Sequence, residues 1–456
     1  MNGKRSVRVA NVQAFWGDWP QAPRKTLELG DVDYLTLDYL AELTMSLLHK
    51  QRLKNPGGGY ARDFVDLLRD ILPECKQRGI KIVTNAGGLN PAGCRNAIIE
   101  LAQELGVDGL VVASIDGDDL MPRLDDLLAQ GVFLNNMDTG RPISDVRDRL
   151  VSANAYFGSA SIADALRQGA DIVVAGRSTD PALVVGPLMY EFGWAEDDYD
   201  RLAAGTIAGH LIECGPHATG GNFEGGWWDV EGMATIGYPI VEVEESGEFV
   251  LTKPEGTGGL VNFHTTAEQL LYEMGDPQHY LGPDVTADIS GVQLTEIGKD
   301  KVKVTGITGS APTGLLKVSS AYSDGYSATG TLAFSWPYAT AKARRMGEVL
   351  IDRVNNEGLR YDDLRIDFVG STAILGPVSP ESIDPAEVLM RASIRGQYKE
   401  DLAKFGKGLA SLGIAGPAGA CGFGGRPRAS EVFAYWPALI PGEHVVPVVD
   451  VQKVGG

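Results

Sequence analysis

The densest run of chemically capable side chains is Ala208–Asn222, which reads Ala-Gly-His-Leu-Ile-Glu-Cys-Gly-Pro-His-Ala-Thr-Gly-Gly-Asn. It places two of the six histidines, an acid and a thiol within eight residues. His210 and Glu213 are three apart, so a helix through them puts both on one face, where they could share a proton. Gly215-Pro216 should end that helix. Cys214 then sits at a helix C-terminus, where the dipole opposes a thiolate. With His217 nearby Cys214 could still act as a nucleophile; it also reads as a small buried residue at a helix cap. His210, Glu213 and His217 are metal-ligand types. Their H-x-x-E-x-x-x-H order is not that of a zinc protease, and the Gly-Pro break spoils a helical presentation, so no metal site is assigned.

A second constellation is Gly176-Arg177-Ser178-Thr179-Asp180-Pro181, directly after an apolar run. Arg177 suits an anion clamp and Asp180 an acid or base beside it. Asp180 also reads as the N-cap of a helix over Pro181–Tyr190. Asn154 and Asp138 are candidates for a second polar wall. Glycine-rich segments could offer backbone N–H groups to an oxyanion or phosphate. They are Asn55–Gly59, Asn85–Pro91 with Gly87 and Gly88, Thr219–Asn222 with Gly220 and Gly221, and Gly256–Gly259 with Gly258 and Gly259. Each also reads as a simple turn. No Walker loop occurs, and no G-x-G-x-x-G follows the first strand, which disfavours conventional nucleotide binding.

These residues need elements to hold them. Val7–Val12, Tyr34–Leu37, Lys81–Asn85, Gly109–Ala113, Val132–Asn135, Val151–Ala155 and Asp171–Ala175 read as strands. Helical patterns lie between them over Ala61–Gln77, Cys94–Leu105, Leu120–Gln130 and Ser161–Gln168. The alternation predicts an α/β fold: a mostly parallel, open sheet with helices on both faces, followed by a smaller α+β lobe. Ligands of such sheets bind at the carboxyl ends of the strands, where Asn85, Asp138, Asn154 and Arg177 all fall. The expected division is residues 1–226 for the parallel domain and 227–456 for an α+β domain with a mixed or antiparallel sheet. In the second part Lys301–Thr305, Leu315–Ser319, Thr329–Phe334 and Leu364–Val369 read as strands and Ala339–Asn355 as a helix.

Composition narrows the function classes. The formal charge is −20, from 40 Lys+Arg against 60 Asp+Glu. Such a surface repels phosphate backbones, so nucleic acid is not an expected partner. Glycine takes 58 of 456 positions, about 13% against a usual ~7%. No apolar stretch is long enough for a membrane span. Met1–Val12 has basic residues but no apolar leader core or cleavage site. Cys75, Cys94, Cys214 and Cys421 form no C-x-x-C, and a reducing cytoplasm fits them. A homo-oligomer is the default for such a chain.

Several segments together resemble the acyclic terpene utilisation (AtuA-like) family. They are Thr84–Pro91, Val151–Tyr156, Gly169–Leu183, Ala208–Gly215 continuing through Thr219–Phe223, and Gly256–Gly259. The resemblance implies a cytoplasmic protein of branched acyl-CoA catabolism, of the kind fed by citronellol and geraniol. It departs at His217, where the family carries Gln. Longer relatives add a ferredoxin-like C-terminal domain, for which this chain leaves little room. The combined expectation is an enzyme acting on a branched acyl-CoA thioester or related carboxylate, of hydratase or lyase type. Asp180, Glu213, His210 or Cys214 would do the chemistry. Asn85, Gly87, Gly88, Asn154, Arg177, Thr219, Gly220, Gly221, Asn222, Gly258 and Gly259 would bind substrate. No separate cofactor is expected, and coenzyme A would enter as part of the substrate. The alternatives are a Cys214-dependent hydrolase or acyl transferase, and a non-catalytic subunit of an acyl-CoA carboxylase-type complex.

Overall fold

The computed structural model describes residues 6–42, 44–379 and 384–455. The basic residues Lys4 and Arg5 of the N-terminal segment lie outside them. The chain divides into two units, 1–321 with 435–456, and 322–434. The boundary expected near residue 226 therefore falls inside the first unit.

The first unit is built on strands β1 (Ser6–Asn11), β2 (Tyr34–Leu37), β3 (Lys81–Thr84), β4 (Val111–Asp116), β5 (Leu150–Ala155), β6 (Ile172–Ala175), β7 (Ile240–Glu244) and β8 (Phe249–Thr252). The pairs β1–β2, β2–β3, β3–β6 and β6–β4 are parallel. Antiparallel strands extend both flanks: β7, β8, Lys301–Thr305 and Gln293–Gly298 beyond β1, and Val448–Lys453 beyond β4. The sheet is thus mixed, and not mostly parallel as expected. The reason is that β7, β8 and the strand at 301–305, read as the start of a second lobe, add to the edge of the first sheet.

Side chains alternate between two apolar layers. On β6, Val173 packs with Val9 and Val83 on one face, and Ile172 and Val174 with Ile82 and Leu35 on the other. Each fully buried aliphatic side chain of this kind contributes about 1.5–3 kcal/mol. The helix Arg62–Arg78 buries Phe64, Leu68, Ile71, Leu72 and Cys75, a single helical stripe. It ends at Gly79, whose left-handed backbone (φ 69°) lets its N–H cap the carbonyls of Cys75 and Lys76. Asn90 starts the helix Pro91–Glu104 by accepting from the Gly93 N–H.

Two expected strands differ. Val132–Asn135 has no regular structure. Leu134 has φ 45°, and the Asn136 carboxamide oxygen accepts from the N–H groups of Asp138 and Thr139. An Asx turn replaces a strand there. The strand β5 forms, but off the main path, pairing with Leu315–Ser335.

The second unit runs β-α-β-β-α-β: the latter part of Leu315–Ser335, helix Ala339–Asn356, strands Asp363–Val369 and Glu387–Gly396, helix Lys399–Ala415 and strand Ala420–Phe423. Numbered along the unit, the strands lie in the order 2-3-1-4 and every neighbouring pair is antiparallel. This is the ferredoxin-like split βαβ arrangement. Met390 and Ile394 of its sheet pack on Met346 and Leu350 of one helix and Phe405 and Leu409 of the other. A ferredoxin-like unit thus fits within the chain, ahead of its last strand. No helix among the described residues is long and apolar enough to cross a membrane.

Candidate functional site

The carboxyl ends of the five parallel strands carry a row of buried polar residues. Asn11 ends β1, Asp38 follows β2, Asn85 follows β3, Arg177 follows β6 and Asp118 follows β4. Parallel neighbours end at similar heights, so this row is what the topology presents to a ligand.

Arg177 is 2% exposed and its Nη1 lies 2.7 Å from Asp180 Oδ1. Its guanidinium stacks 4.0 Å from the centre of the Tyr156 ring, with Lys317 Nζ 5.0 Å from the same ring. Lys317 pairs with Glu42 at 3.1 Å. Arg177 Nε is buried without a partner. The helix over 182–192 has Pro181 at its N-cap with no side-chain cap, so Asp180 serves the arginine and not the helix.

Asp38 accepts from Asn85 Nδ2 at 2.7 Å, while Asn85 Oδ1 accepts from the Tyr39 N–H at 2.7 Å. Burial, reinforced by the charges of Asp180 and Glu213, pushes the Asp38 carboxyl well above the usual range against the pull of Arg177 and Asn85. Its neutral form is thus favoured more than in an ordinary carboxyl, with the Arg177 charge opposing.

Glu213 arrives from the helix Tyr199–Glu213. Asn11 Nδ2 donates to the carbonyls of Ile212 and Glu213 at 2.8 Å, satisfying carbonyls that the helix end leaves open. A Cβ on Gly209 would sit 2.7 Å from Pro181 Cα. Glycine here lets the helix pack on the residue after Asp180. His210 Nδ1 lies 3.1 Å from Glu213 Oε1, and its Nε2 lies 3.2 Å from the Leu270 carbonyl. Burial opposes the imidazolium, but Glu213 and the Leu270 carbonyl outweigh it and His210 is raised. Burial raises Glu213 as well, and its Oε2 has no partner. The two form a buried proton-sharing pair.

Asn154 reaches the row through Asp118. Asp118 Oδ2 accepts from Asn154 Nδ2 at 2.8 Å and from the Arg177 N–H at 2.9 Å. Gly176 admits this approach, because a Cβ there would lie 2.3 Å from Asp118 Oδ1. Burial is the main cause that pushes Asp118 up to about 7. Its unfolded value is about 3.9, so between roughly pH 4 and 7 the folded chain holds a proton that the unfolded chain has lost. Stability from this group is complete at low pH and drains away as pH rises through 7. Asp118→Asn, which mimics the protonated acid, is expected to gain on the wild type as pH rises, by up to about 4 kcal/mol at pH 8. Urea unfolding at pH 5 and pH 8 checks this; an equal difference at both would overturn it.

The other sequence candidates lie elsewhere or have other uses. Burial and Glu213 push the Cys214 thiol up to about 12, the opposite of an activated nucleophile. The ring of His217 sits edge-on to Tyr272. Among the described residues no three His, Cys, Asp or Glu side chains converge as a metal-binding group. Gly87 presses on the end of β6, its ideal Cβ 2.6 Å from the Ala175 carbonyl, and the Gly88 N–H donates to the Asn85 carbonyl. Thr219 Oγ1 donates to the Gly237 carbonyl. The N–H groups of Gly220, Gly221, Gly258 and Gly259 donate to the carbonyls of His217, Pro216, Thr235 and Glu231. These glycines knit two loops together and are occupied as donors. Asn222 is exposed with φ 51°, and Asp138 is exposed in its Asx turn.

The chain matches the model of the acyclic terpene utilisation family protein AtuA over residues 7–451. It belongs to the AtuA family. No curated protein and no solved structure matches it significantly. For this AtuA-family chain the family assignment gives a pathway, acyclic terpene utilisation, and the strand-end row gives the chemistry to be explained. Sequence reasoning missed Asp38, Asp118, Tyr156 and Lys317. The first two follow strands, so the rule that found Asn85 and Arg177 also points to them.

Proposed function

We propose that this AtuA-family chain is an acid–base catalyst that adds or removes water across a double bond of a branched acyl-CoA thioester or related carboxylate. The observation that carries the reading is the buried Arg177 among Asp38, Asp180 and Glu213, with Asp38 and Glu213 both raised. In this reading Arg177 holds the carbonyl oxygen as it gains negative charge. Glu213, backed by His210, takes a proton from water, and the hydroxide bonds to the β-carbon. The double-bond electrons move onto the carbonyl oxygen to give an enolate. As the enolate collapses, its α-carbon takes the proton of Asp38. Exchange with solvent returns the proton from Glu213 to Asp38. Dehydration is the same path reversed.

A proton-transfer group works best with a pKa near the working pH, and burial moves both Glu213 and Asp38 upward in that direction. The test is a panel of branched enoyl- and 3-hydroxyacyl-CoA thioesters, followed by the enoyl absorbance and by thioester binding. Turnover that Glu213→Gln lowers by about 10²–10⁴-fold is expected. Neither binding nor turnover across the panel would overturn the reading.

A further inference from the structure

A cavity of about 340 Å³ lies beside the ends of β1 and β2. It is lined by Gln13, Asp18, Tyr39, Asp63, Asp66 and Asp70, together with Pro20, Gln21 and Leu67. No lysine or arginine is among these lining residues. The cavity therefore repels the anionic thioester discussed above, and what it takes is a separate question.

Two independent features define its ligand. The first is the layout of charge. Asp63, Asp66 and Asp70 are at i, i+3 and i+7 of the helix Arg62–Arg78, so they share one face over roughly 10 Å. Asp63 lies in the first turn, where the helix dipole alone accounts for an acid. The dipole does not account for the other two. Arg24 offsets only Asp70, at 3.2 Å. Asp18 is already engaged by the Tyr238 hydroxyl and the N–H groups of Ala14 and Trp19.

The second feature is a set of oxygens without partners. Tyr39 is 1% exposed and Gln13 is 2% exposed. Tyr39 Oη, Gln13 Oε1 and Asp63 Oδ1 are all buried and make no hydrogen bond. A buried polar oxygen left unpaired is costly, so a donor brought to it is favoured. Here three of them belong to residues that line one cavity. A primary ammonium carries three N–H donors and no acceptor, and so suits residues whose oxygens lack donors.

We propose that this cavity binds a linear di- or polyamine. One terminal ammonium sits on Gln13, Tyr39 and Asp63, and the chain runs out along the helix past Asp66 towards Asp70. Isothermal titration of the full chain with spermidine tests it. A single saturable site is expected, weakened about 10-fold by Tyr39→Phe, which removes only the hydroxyl, and about 10-fold by Asp66→Asn. Asp125→Asn, an exposed acid paired with Arg147, controls for general attraction to the acidic surface and should leave binding unchanged. Tetramethylammonium, which has no N–H, should not compete. No saturable binding at millimolar spermidine would overturn the proposal. So would equal binding by the Tyr39→Phe and wild-type chains, or competition by tetramethylammonium.

Discussion

Asp38→Asn is expected to lower turnover of a branched enoyl thioester by about 10²–10⁴-fold while leaving the fold as stable as before. The stability follows from the hydrogen bonds. Asp38 Oδ1 accepts from Asn85 Nδ2 and from the Leu40 N–H, and the carbonyl oxygen of an asparagine can accept both. The carboxyl is already held towards its neutral form by burial and by Asp180 and Glu213. Asparagine therefore matches in shape the neutral form towards which the carboxyl is shifted, and what it removes is the transferable proton. The pH profile carries the sign. An acid with a raised pKa is competent below that pKa, so wild-type turnover should fall on the alkaline side as Asp38 loses its proton. Asp38→Glu should restore part of the rate and keep an alkaline limb. A rate for Asp38→Asn within threefold of wild type, with an unchanged pH profile, would remove Asp38 from the mechanism.

What made Arg177 and Asn85 legible was local. Each follows a short apolar run that could only be a buried strand, and ligands gather beyond such ends. His210 and Glu213 were legible for a similar reason, because three residues apart on a helix is a fixed geometry. Asp38 and Asp118 obey the strand-end rule but are disguised. Asp38 sits in Leu-Asp-Tyr-Leu, where it reads as the polar member of a continuing strand. Asp118 sits in Asp-Gly-Asp-Asp, where it reads as a solvated turn. Only the packing of distant segments tells otherwise: Asn85 and the charges of Arg177, Asp180 and Glu213 meet at Asp38, and the turn at Gly176-Arg177 closes on Asp118.

The same limit explains the sheet. A half-buried antiparallel strand alternates in the same way whether it edges one sheet or starts another. So the chain from 227 onward looked like a new lobe, although β7 and β8 within it add in sequence beside β1. Val132–Asn135 failed for a different reason. Four apolar or polar residues in a row set no period, and Asn136, with its capacity to close an Asx turn, decided the conformation. The glycine loops misled through their abundance. A glycine offers a bare N–H, but at Gly258 the closest neighbour to its ideal Cβ is the Gly232 carbonyl at 1.9 Å. The residue is glycine there because two backbones touch.

Arg177→Met is expected to destabilise the chain by about 3–5 kcal/mol at pH 8 and to abolish turnover. Methionine fills much of the same space against Tyr156, so the loss measures charge more than volume. In the wild type one buried guanidinium faces Asp180 directly and lowers Asp38 by its field. Without it the cations left beside Asp38, Asp180 and Glu213 are His210 when protonated and Lys317, which is already paired with Glu42. Asp38, already raised and now without the lowering charge of Arg177, rises further, and the folded chain then takes up a proton that the unfolded chain does not. The deficit of Arg177→Met should therefore be largest at pH 8 and shrink as the pH falls and Asp38 takes up its proton. Arg177→Lys keeps the charge but loses the flat face that stacks on Tyr156 and the fork that reaches Asp180. It should recover much of the stability at pH 8 and little of the turnover. Urea unfolding of both variants at the two pH values, with thioester turnover alongside, separates these contributions. An Arg177→Met chain as stable as wild type at pH 8 would mean that the carboxyls around it are neutral without its help. The site would then be an acid cluster with an arginine attached, and its anion-holding role would have to pass to Lys317.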